Sequence, residues 1–275
     1  MIWLTVKPKS RFKRNWEAIL AFTVALLISG GLVAAHYLVP QPQTGFAGAR
    51  AAVVAVVCEG TRAGAGAIIS PDGFVLTCAH LGAGNYKVYV LKNLLPKSPL
   101  GEICLPYDAE VVLRWDTGDL QLLKITSPCP GKYWPWLRIA SRPPKVGDSA
   151  YAWGHPLETR WHMSNGVVNE YRWFACGLRL IGHTCSTNAG GSGGPLVDSN
   201  GKIIGVDGYM SAAIELLGGG YIPLLEGGYA IGLDEVRPTI FALMKTWRKF
   251  NVTRKGFKFV EDWIQNWLQH EGQAN

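Results

Sequence analysis

Residues 187–197 have the sequence TNAGGSGGPLV, which surrounds Ser192 with glycines and continues at once into a short apolar run. A nucleophilic serine needs backbone N–H groups directed at the oxyanion that forms when it attacks a carbonyl, and glycines allow the tight turn that presents them. We expect Gly190 and Ser192 to donate these two N–H groups. The residues after the serine bear on the fold, because Gly-Gly-Pro followed by an apolar run and an Asn-Gly turn predicts a strand rather than a helix. A glycine-rich surface turn can have the same short sequence, so the interpretation depends on other segments.

A histidine and an aspartate lie upstream, the first at the end of a predicted strand and the second at the start of one. Residues 64–80 (GAGAIISPDGFVLTCAH) predict a strand, a Pro-Asp-Gly turn and a second strand that leads to His80. Asp119 opens an apolar run that suits a buried strand, whereas the sequence around the competing Asp116 has the composition of a turn. The order His80, Asp119, Ser192 is that of the chymotrypsin-type triad and differs from the subtilisin and α/β-hydrolase orders.

Together these segments resemble the trypsin-fold serine proteases, and among them the HtrA/Deg branch. Residues 146–157 and 166–168 are similar to the start of that family's second barrel, and residues 228–231 to a late strand beside its substrate pocket. The resemblance covers about residues 51–236. It implies an all-β fold of two antiparallel six-stranded β-barrels, at about residues 51–132 and 140–236.

The resemblance also implies a serine endopeptidase that cleaves polypeptides through an acyl-enzyme intermediate. His80 is the expected general base, Asp119 the residue that orients it, and Ser192 the nucleophile. Substrates of this fold bind as an added β-strand. The residues expected to contact substrate are Val206, Asp207, Gly208 and Ala230. The chain departs from the family at Gly191, where asparagine is usual, and the sequence after residue 236 is too short for the PDZ domain that commonly follows.

Two other functions match parts of the sequence. The glycine-flanked serine fits the nucleophile elbow of an α/β-hydrolase esterase, with His270 late enough to serve as its base, but that elbow requires a helix directly after the serine. A catalytically silent, protease-like binding scaffold is the second alternative. Since every catalytic group is present, the sequence gives no reason to prefer the scaffold.

The six cysteines all lie beyond residue 50, which indicates an oxidising compartment. The expected bridges are Cys58–Cys78, Cys104–Cys129 and Cys176–Cys185. The cysteines are dispersed, without C-x-x-C or H-x₃-H spacing, so we expect neither a metal site nor a cofactor. Four other histidines lack the hairpin context of the candidate base and are expected in loops or at the surface: His155, His162, His183 and His270.

The N-terminal region has the pattern of a membrane anchor. Residues 18–39 are 22 residues without a formal charge, which as a helix would span about 33 Å and so cross a bilayer. A basic tail at residues 1–17 precedes them and predicts a cytoplasmic N-terminus, with the protease periplasmic or extracellular beyond a linker at residues 40–50. A cleaved signal peptide is the alternative, although this apolar stretch exceeds the usual h-region length.

The net charge of +7 comes mostly from the basic tail, so we expect no nucleic-acid binding. After the barrels, residues 237–275 are predicted to form helices, one over 238–250 and a Trp-rich amphipathic one after Gly256. The polar face of the second helix is acidic and neutral, which is atypical of membrane-surface helices. We expect it to pack on the barrel or on a second copy of the chain, giving a homo-oligomer.

Overall fold

The computed structural model describes residues 41–59, 63–92, 103–154, 161–173, 176–187, 190–210, 213–215, 221–223 and 227–250. Two closed barrels, each of six strands paired antiparallel, contain most of these residues. The prediction of an all-β, trypsin-like fold with two barrels is confirmed. By internal contacts the chain divides into residues 1–41 and 42–275, and both barrels belong to the second unit.

The first barrel contains six strands: β1 (Val53–Cys58), β2 (Ala63–Ile68), β3 (Phe74–Thr77), β4 (Tyr86–Lys92), β5 (Ile103–Trp115) and β6 (Leu120–Ile125). They pair in the order β1-β2-β3-β6-β5-β4. The turn between β2 and β3 is tight, with Gly73 at a φ of 90° and its N–H donating to the Ser70 carbonyl at 3.0 Å. Glycine adopts this left-handed conformation without steric cost. The hairpin therefore fixes where β3 ends and where His80 lies.

The second barrel also contains six strands: β7 (Ser149–Gly154), β8 (His162–Trp173), β9 (Arg179–His183), β10 (Pro195–Val197), β11 (Ile203–Met210) and β14 (Gly228–Gly232). They pair in the order β10-β11-β14-β9-β8-β7. Between β11 and β14, the short strands β12 (Ala213–Glu215) and β13 (Tyr221–Pro223) form a separate two-stranded sheet. The serine loop leads directly into β10, a strand, so the α/β-hydrolase alternative is wrong.

A helix, α1 (Gly45–Ala52), occupies part of the segment predicted as a linker. Its sequence GFAGARAA is rich in alanine, the residue with the highest helix propensity. Ala49 and Ala52, which lie on one face at a spacing of three, are fully buried in the main core. Packing on the first barrel thus orders a segment whose sequence shows no apolar helical stripe.

The first predicted C-terminal helix is present as α2 (Arg237–Phe250). Its apolar face is buried in the main core, and the Trp247 ring meets the Phe74 ring edge to face with centroids 6.4 Å apart. The second predicted helix, the anchor at residues 18–39 and the basic tail lie outside the described residues. Within the part of the chain that the structure describes, no helix has the length and apolarity to cross a membrane.

Candidate catalytic site

His80 lies in a single 3₁₀ turn, Ala79–Leu81. This turn begins two residues after the last residue of β3. The end of the strand is held by the Thr77 hydroxyl, which donates to the Ala65 carbonyl at 2.7 Å. The N–H of Ala79 donates to the Asp119 carbonyl at 3.2 Å. The His80 side chain remains 31% exposed. The hairpin therefore presents the imidazole at the surface while its backbone is fixed from two sides.

Asp119 holds this histidine through both carboxylate oxygens. Oδ1 accepts the backbone N–H of His80 at 2.8 Å, and Oδ2 lies 2.7 Å from His80 Nδ1. Asp119 is buried and has a φ of 49°, the left-handed region that a non-glycine residue seldom adopts. The competing Asp116 is exposed and pairs with Arg114 instead. The structure brings Asp119, and not Asp116, to the imidazole.

The glycine loop around Ser192 is clamped between the two barrels. The Ser192 carbonyl accepts the N–H of Ala65 at 2.8 Å, from β2 of the first barrel. On the other side, Gly193 N–H donates to the Asp207 carbonyl at 2.7 Å, and Asp207 N–H donates to the Gly194 carbonyl at 2.8 Å, from β11 of the second. These three hydrogen bonds set the position of the loop backbone relative to both barrels.

Gly193 brings this loop against the segment that leads to His80. Its φ is 86°, and a Cβ at this position would lie 2.2 Å from the Ala65 carbonyl oxygen, 2.3 Å from the Thr77 hydroxyl and 3.1 Å from the Cys78 nitrogen. Only glycine fits this approach. The residue after Ser192 therefore packs on the residues directly before the candidate base.

Ser192 is half-buried, and its hydroxyl makes no hydrogen bond with His80 or any other described residue. The N–H groups of Gly190 and Ser192, the expected oxyanion donors, likewise have no acceptor among the residues that the structure describes. Gly190 has a φ of 93°. The N–H of Gly191 also has no acceptor among the described residues, whereas the N–H groups of Gly193 and Gly194 are used within the fold.

The residues predicted to contact substrate lie on β11 and β14 close to this loop. Val206 and Ala230 are buried side chains of the two core clusters. Asp207 lies opposite Ala230 in the strand register and is also buried. Gly208 follows, and a Cβ there would lie 3.3 Å from Cys78 Sγ and 3.5 Å from Asp119 Oδ2. Of the four, Gly208 is the one directly beside the candidate catalytic groups.

The carboxylate of Asp207 faces His183, which sequence reasoning missed. His183 Nε2 lies 3.4 Å from Asp207 Oδ1, and the imidazole is fully buried at the end of β9. The expectation that His183 is a loop or surface histidine is therefore wrong. Burial by itself lowers the pKa of His183, but the neighbouring carboxylate reverses this and raises the pKa to about 9. The sequence does contain a signal for this burial. Side chains two residues apart in a strand point to the same face, so the apolar Ile181 indicates that His183 is on the buried face of β9.

The predicted disulfides are not formed, since Cys78, Cys129 and Cys185 are all free thiols. The Cys78 thiol donates to the Asp207 carbonyl at 3.4 Å, and the Cys185 thiol to the Ala150 carbonyl at 3.3 Å. Cys185 belongs to a different core cluster from the one against which Cys176 packs, whereas Cys58 and Cys78 are buried in the same cluster. The side chain of Cys104 lies outside the described residues. Burial, followed by the charges of Asp119 and Asp207, holds the pKa of Cys78 well above its usual range.

The sequence matches the model of the trypsin-like peptidase domain over residues 64–206, just over half of its 275 residues. The chain belongs to this family. The predicted resemblance to its serine proteases, in particular the HtrA/Deg branch, is confirmed.

Relatives and solved structures agree with this membership. The chain is 32% identical to a putative protease Do-like 14 of Arabidopsis thaliana over 74% of this chain and 46% of that protein. It is 31% identical to a probable periplasmic serine endoprotease DegP-like of Chlamydia pneumoniae, over 61% of this chain and 31% of the relative. The chain thus spans less than half the length of these relatives. The crystal structure of the serine endoprotease from Yersinia pestis has a similar fold, with a TM-score of 0.56 at 23% identity, covering 75% and 68% of the two chains.

Proposed function

We propose that this protein is a serine endopeptidase that hydrolyses peptide bonds with His80, Asp119 and Ser192. The observation that carries the proposal is the pairing of His80 with Asp119, residues 39 positions apart, directly beside the glycine loop of Ser192. Membership of the trypsin-like peptidase family supports the same activity. The substrates we propose are extracytoplasmic polypeptides.

The chemistry follows from the orientation of the imidazole. With Asp119 Oδ2 accepting the Nδ1 proton at 2.7 Å, the lone pair of the neutral ring lies on Nε2. Nε2 takes the proton of the Ser192 hydroxyl as the oxygen attacks the scissile carbonyl, and later delivers it to the leaving amine. Asp119 stabilises the imidazolium that forms between these steps. Water then hydrolyses the acyl-enzyme on Ser192 by the same route.

The tetrahedral intermediate places negative charge on the former carbonyl oxygen. The N–H groups of Gly190 and Ser192 are proposed to bind it, and their lack of acceptors among the described residues supports this role. Fixed donors of this kind are worth about 3–4 kcal/mol of transition-state stabilisation each. The hydrogen bonds of Gly193 and Gly194 keep the loop in shape, so little reorganisation is required.

A specific observation favours the alternative of a catalytically silent scaffold. Ser192 and His80 make no hydrogen bond in the described structure, although nucleophile and base must share a proton during the reaction. Catalytic hydrogen bonds are often formed only when substrate is bound. We therefore favour the enzyme, and propose that bound substrate brings the two side chains together.

The test is hydrolysis of an unfolded polypeptide by single variants. Ser192→Ala and His80→Ala should remove nearly all activity, and Asp119→Asn should lower kcat by about 10⁴-fold through loss of the required tautomer. Combining the substitutions should add little, because the three groups act as a unit. Asp116→Asn is the matched control and should retain activity. Comparable losses at the two aspartates, or full activity without the Ser192 hydroxyl, would contradict the proposal.

We also propose that residues 18–39 anchor the protein with its peptidase domain outside the cytoplasm. The basic tail before this stretch supports the orientation, and the periplasmic relative supports the compartment. Protease added to cells, after permeabilisation of any outer membrane, should then degrade the barrels while a tag at Met1 stays protected. Digestion of the tag before the barrels would contradict the proposed orientation.

Assembly through the predicted helix after Gly256 stays a prediction, for which sedimentation of the chain with and without residues 251–275 is the test.

A further inference from the structure

The catalytic pair has a third ligating group beside it. The Cys78 thiol, an imidazole nitrogen of His80 and an oxygen of the Asp119 carboxylate lie within 4.8 Å of one another. The proteolytic mechanism uses two of these groups and leaves the thiol without a role. A cysteine, an imidazole and a carboxylate form a typical donor set for zinc.

We propose that Cys78, His80 and Asp119 form a binding site for a borderline-soft divalent cation, with zinc as the natural example, and that the bound ion switches the peptidase off. The spacing suits this ion after a small adjustment. A tetrahedral zinc places its nitrogen, oxygen and sulfur ligand atoms about 3.3–3.5 Å apart. In the structure the ligand atoms are separated by 2.7 Å, between His80 Nδ1 and Asp119 Oδ2, up to at most 4.8 Å. The distances that zinc requires lie within this range.

Gly208 borders the three groups on one side. The position that a side chain would occupy there lies 3.3 Å from Cys78 Sγ and 3.5 Å from Asp119 Oδ2, and the residue is only half-buried. A larger residue at this position would cover both ligand atoms. Cys78 itself is fully buried, so an ion has to reach its thiol from the side of Gly208 and of His80, whose side chain is 31% exposed.

A bound ion inactivates the peptidase because it changes which nitrogen of the His80 ring carries the proton. The metal displaces the thiol proton of Cys78 into solvent and takes the place of the proton on His80 Nδ1, which moves to Nε2 of the same neutral ring. The carboxylate of Asp119 then binds the ion instead of the Nδ1 proton. An imidazole with its only proton on Nε2 has no lone pair there to accept the Ser192 proton. Hydrolysis stops until the metal leaves.

The binding test uses full-length protein carrying Ser192→Ala, so its outcome does not depend on peptidase activity. Titration with Co²⁺ as a spectroscopic probe should give a thiolate-to-cobalt charge-transfer band that saturates at one ion per chain. Adding Cys78→Ser should abolish the band and weaken Co²⁺ binding at least tenfold, since even second-shell partners of metal ligands cost 10–100-fold. Cys185→Ser, a buried thiol outside the site, is the matched control and should change neither quantity.

Saturation without a thiolate band, loss of the band in the Cys185→Ser control, or no binding of Co²⁺ or Zn²⁺ would overturn the proposal. If Cys78→Ser fails to fold, as judged by thermal melting, His80→Ala replaces it and should weaken binding by the same minimum factor. With active protein, Zn²⁺ should suppress hydrolysis at least tenfold, Mg²⁺ should not, and a chelator should restore it. Binding in the Ser192→Ala protein without inhibition of the active one would overturn the inhibitory role alone.

Discussion

Replacing Asp207 with asparagine removes the partner of the one fully buried histidine of the described residues. The carboxylate lies 3.4 Å from His183 Nε2, and the exposed fractions of the two side chains are 6% and 0%. A buried imidazole is normally neutral because the interior disfavours its charge, yet this carboxylate raises the pKa of His183 to about 9. In the Asp207→Asn variant only the lesser effect of Cys185 still raises the pKa against burial, so the histidine should be neutral in the folded state.

The magnitude follows from the pKa difference between the folded and unfolded states. A rise from 6.5 to about 9 corresponds to about 3 kcal/mol of stability, at 1.36 kcal/mol per pKa unit. This is an upper value, because 3.4 Å is longer than a charge-assisted hydrogen bond. Since the folded-state pKa is raised, the contribution is complete below about pH 6.5 and is lost as the pH rises through about 9.

The assay is urea unfolding from pH 6 to 10, in the Ser192→Ala background to prevent self-digestion. The parent protein should lose up to about 3 kcal/mol across this range relative to the Asp207→Asn variant. Asp234→Asn is the matched control, because Asp234 pairs with Arg179, a cation that does not titrate below pH 10. Parallel pH profiles for the parent and the Asp207→Asn variant would refute the reasoning.

Two further predictions concern the barrel junction and the surface. Gly193→Ala should abolish activity and lower the melting temperature, because its Cβ would lie 2.2 Å from the Ala65 carbonyl oxygen. Gly147→Ala is the control, since this glycine also has a positive φ, of 93°, but has open space around it. It should cost only about 1–2 kcal/mol of backbone strain. Equal effects at the two glycines would contradict the packing argument. Arg248→Ala, which removes a bidentate surface pair with Asp72 and a guanidinium 5.4 Å from the Phe74 ring centroid, should cost about 1–2 kcal/mol by denaturant unfolding, and a loss above this range would contradict the estimate.

The sequence was sufficient for the barrels, and it placed His80 and Asp119 next to the ends of strands, because both depend on local patterns. The two apolar runs of residues 64–80, on either side of the Pro-Asp-Gly turn, predict a hairpin without knowledge of any other partner. Asp119 was preferred over Asp116 from the apolar run that follows it, and Asp119 is the aspartate that contacts His80. In each case neighbouring residues carried the information.

Features that depend on strand pairing across the barrel were missed. His183 and Asp207 are distant in the sequence and meet because β14 lies between β9 and β11, where Gly228 and Ala230 leave room for both side chains. The predicted disulfide pairs rested on adjacency along the chain, which does not determine how two thiols are oriented even where, as for Cys58 and Cys78, both lie in one core. The left-handed backbone of Asp119 was not predicted, although it follows a turn in which the Asp119 N–H donates to the Asp116 carbonyl at 3.2 Å and aspartate is one of the non-glycine residues enriched in this region.

The most direct test of the central claim is labelling with a fluorophosphonate, which reacts with serines activated by a neighbouring base. Folded protein should take up one label, and peptide mass spectrometry should locate it on Ser192. Labelling should disappear on unfolding and in the His80→Ala variant, because an isolated serine hydroxyl is a weak nucleophile. Label on another serine, no label in the folded protein, or equal labelling without His80 would contradict the assignment of a serine peptidase.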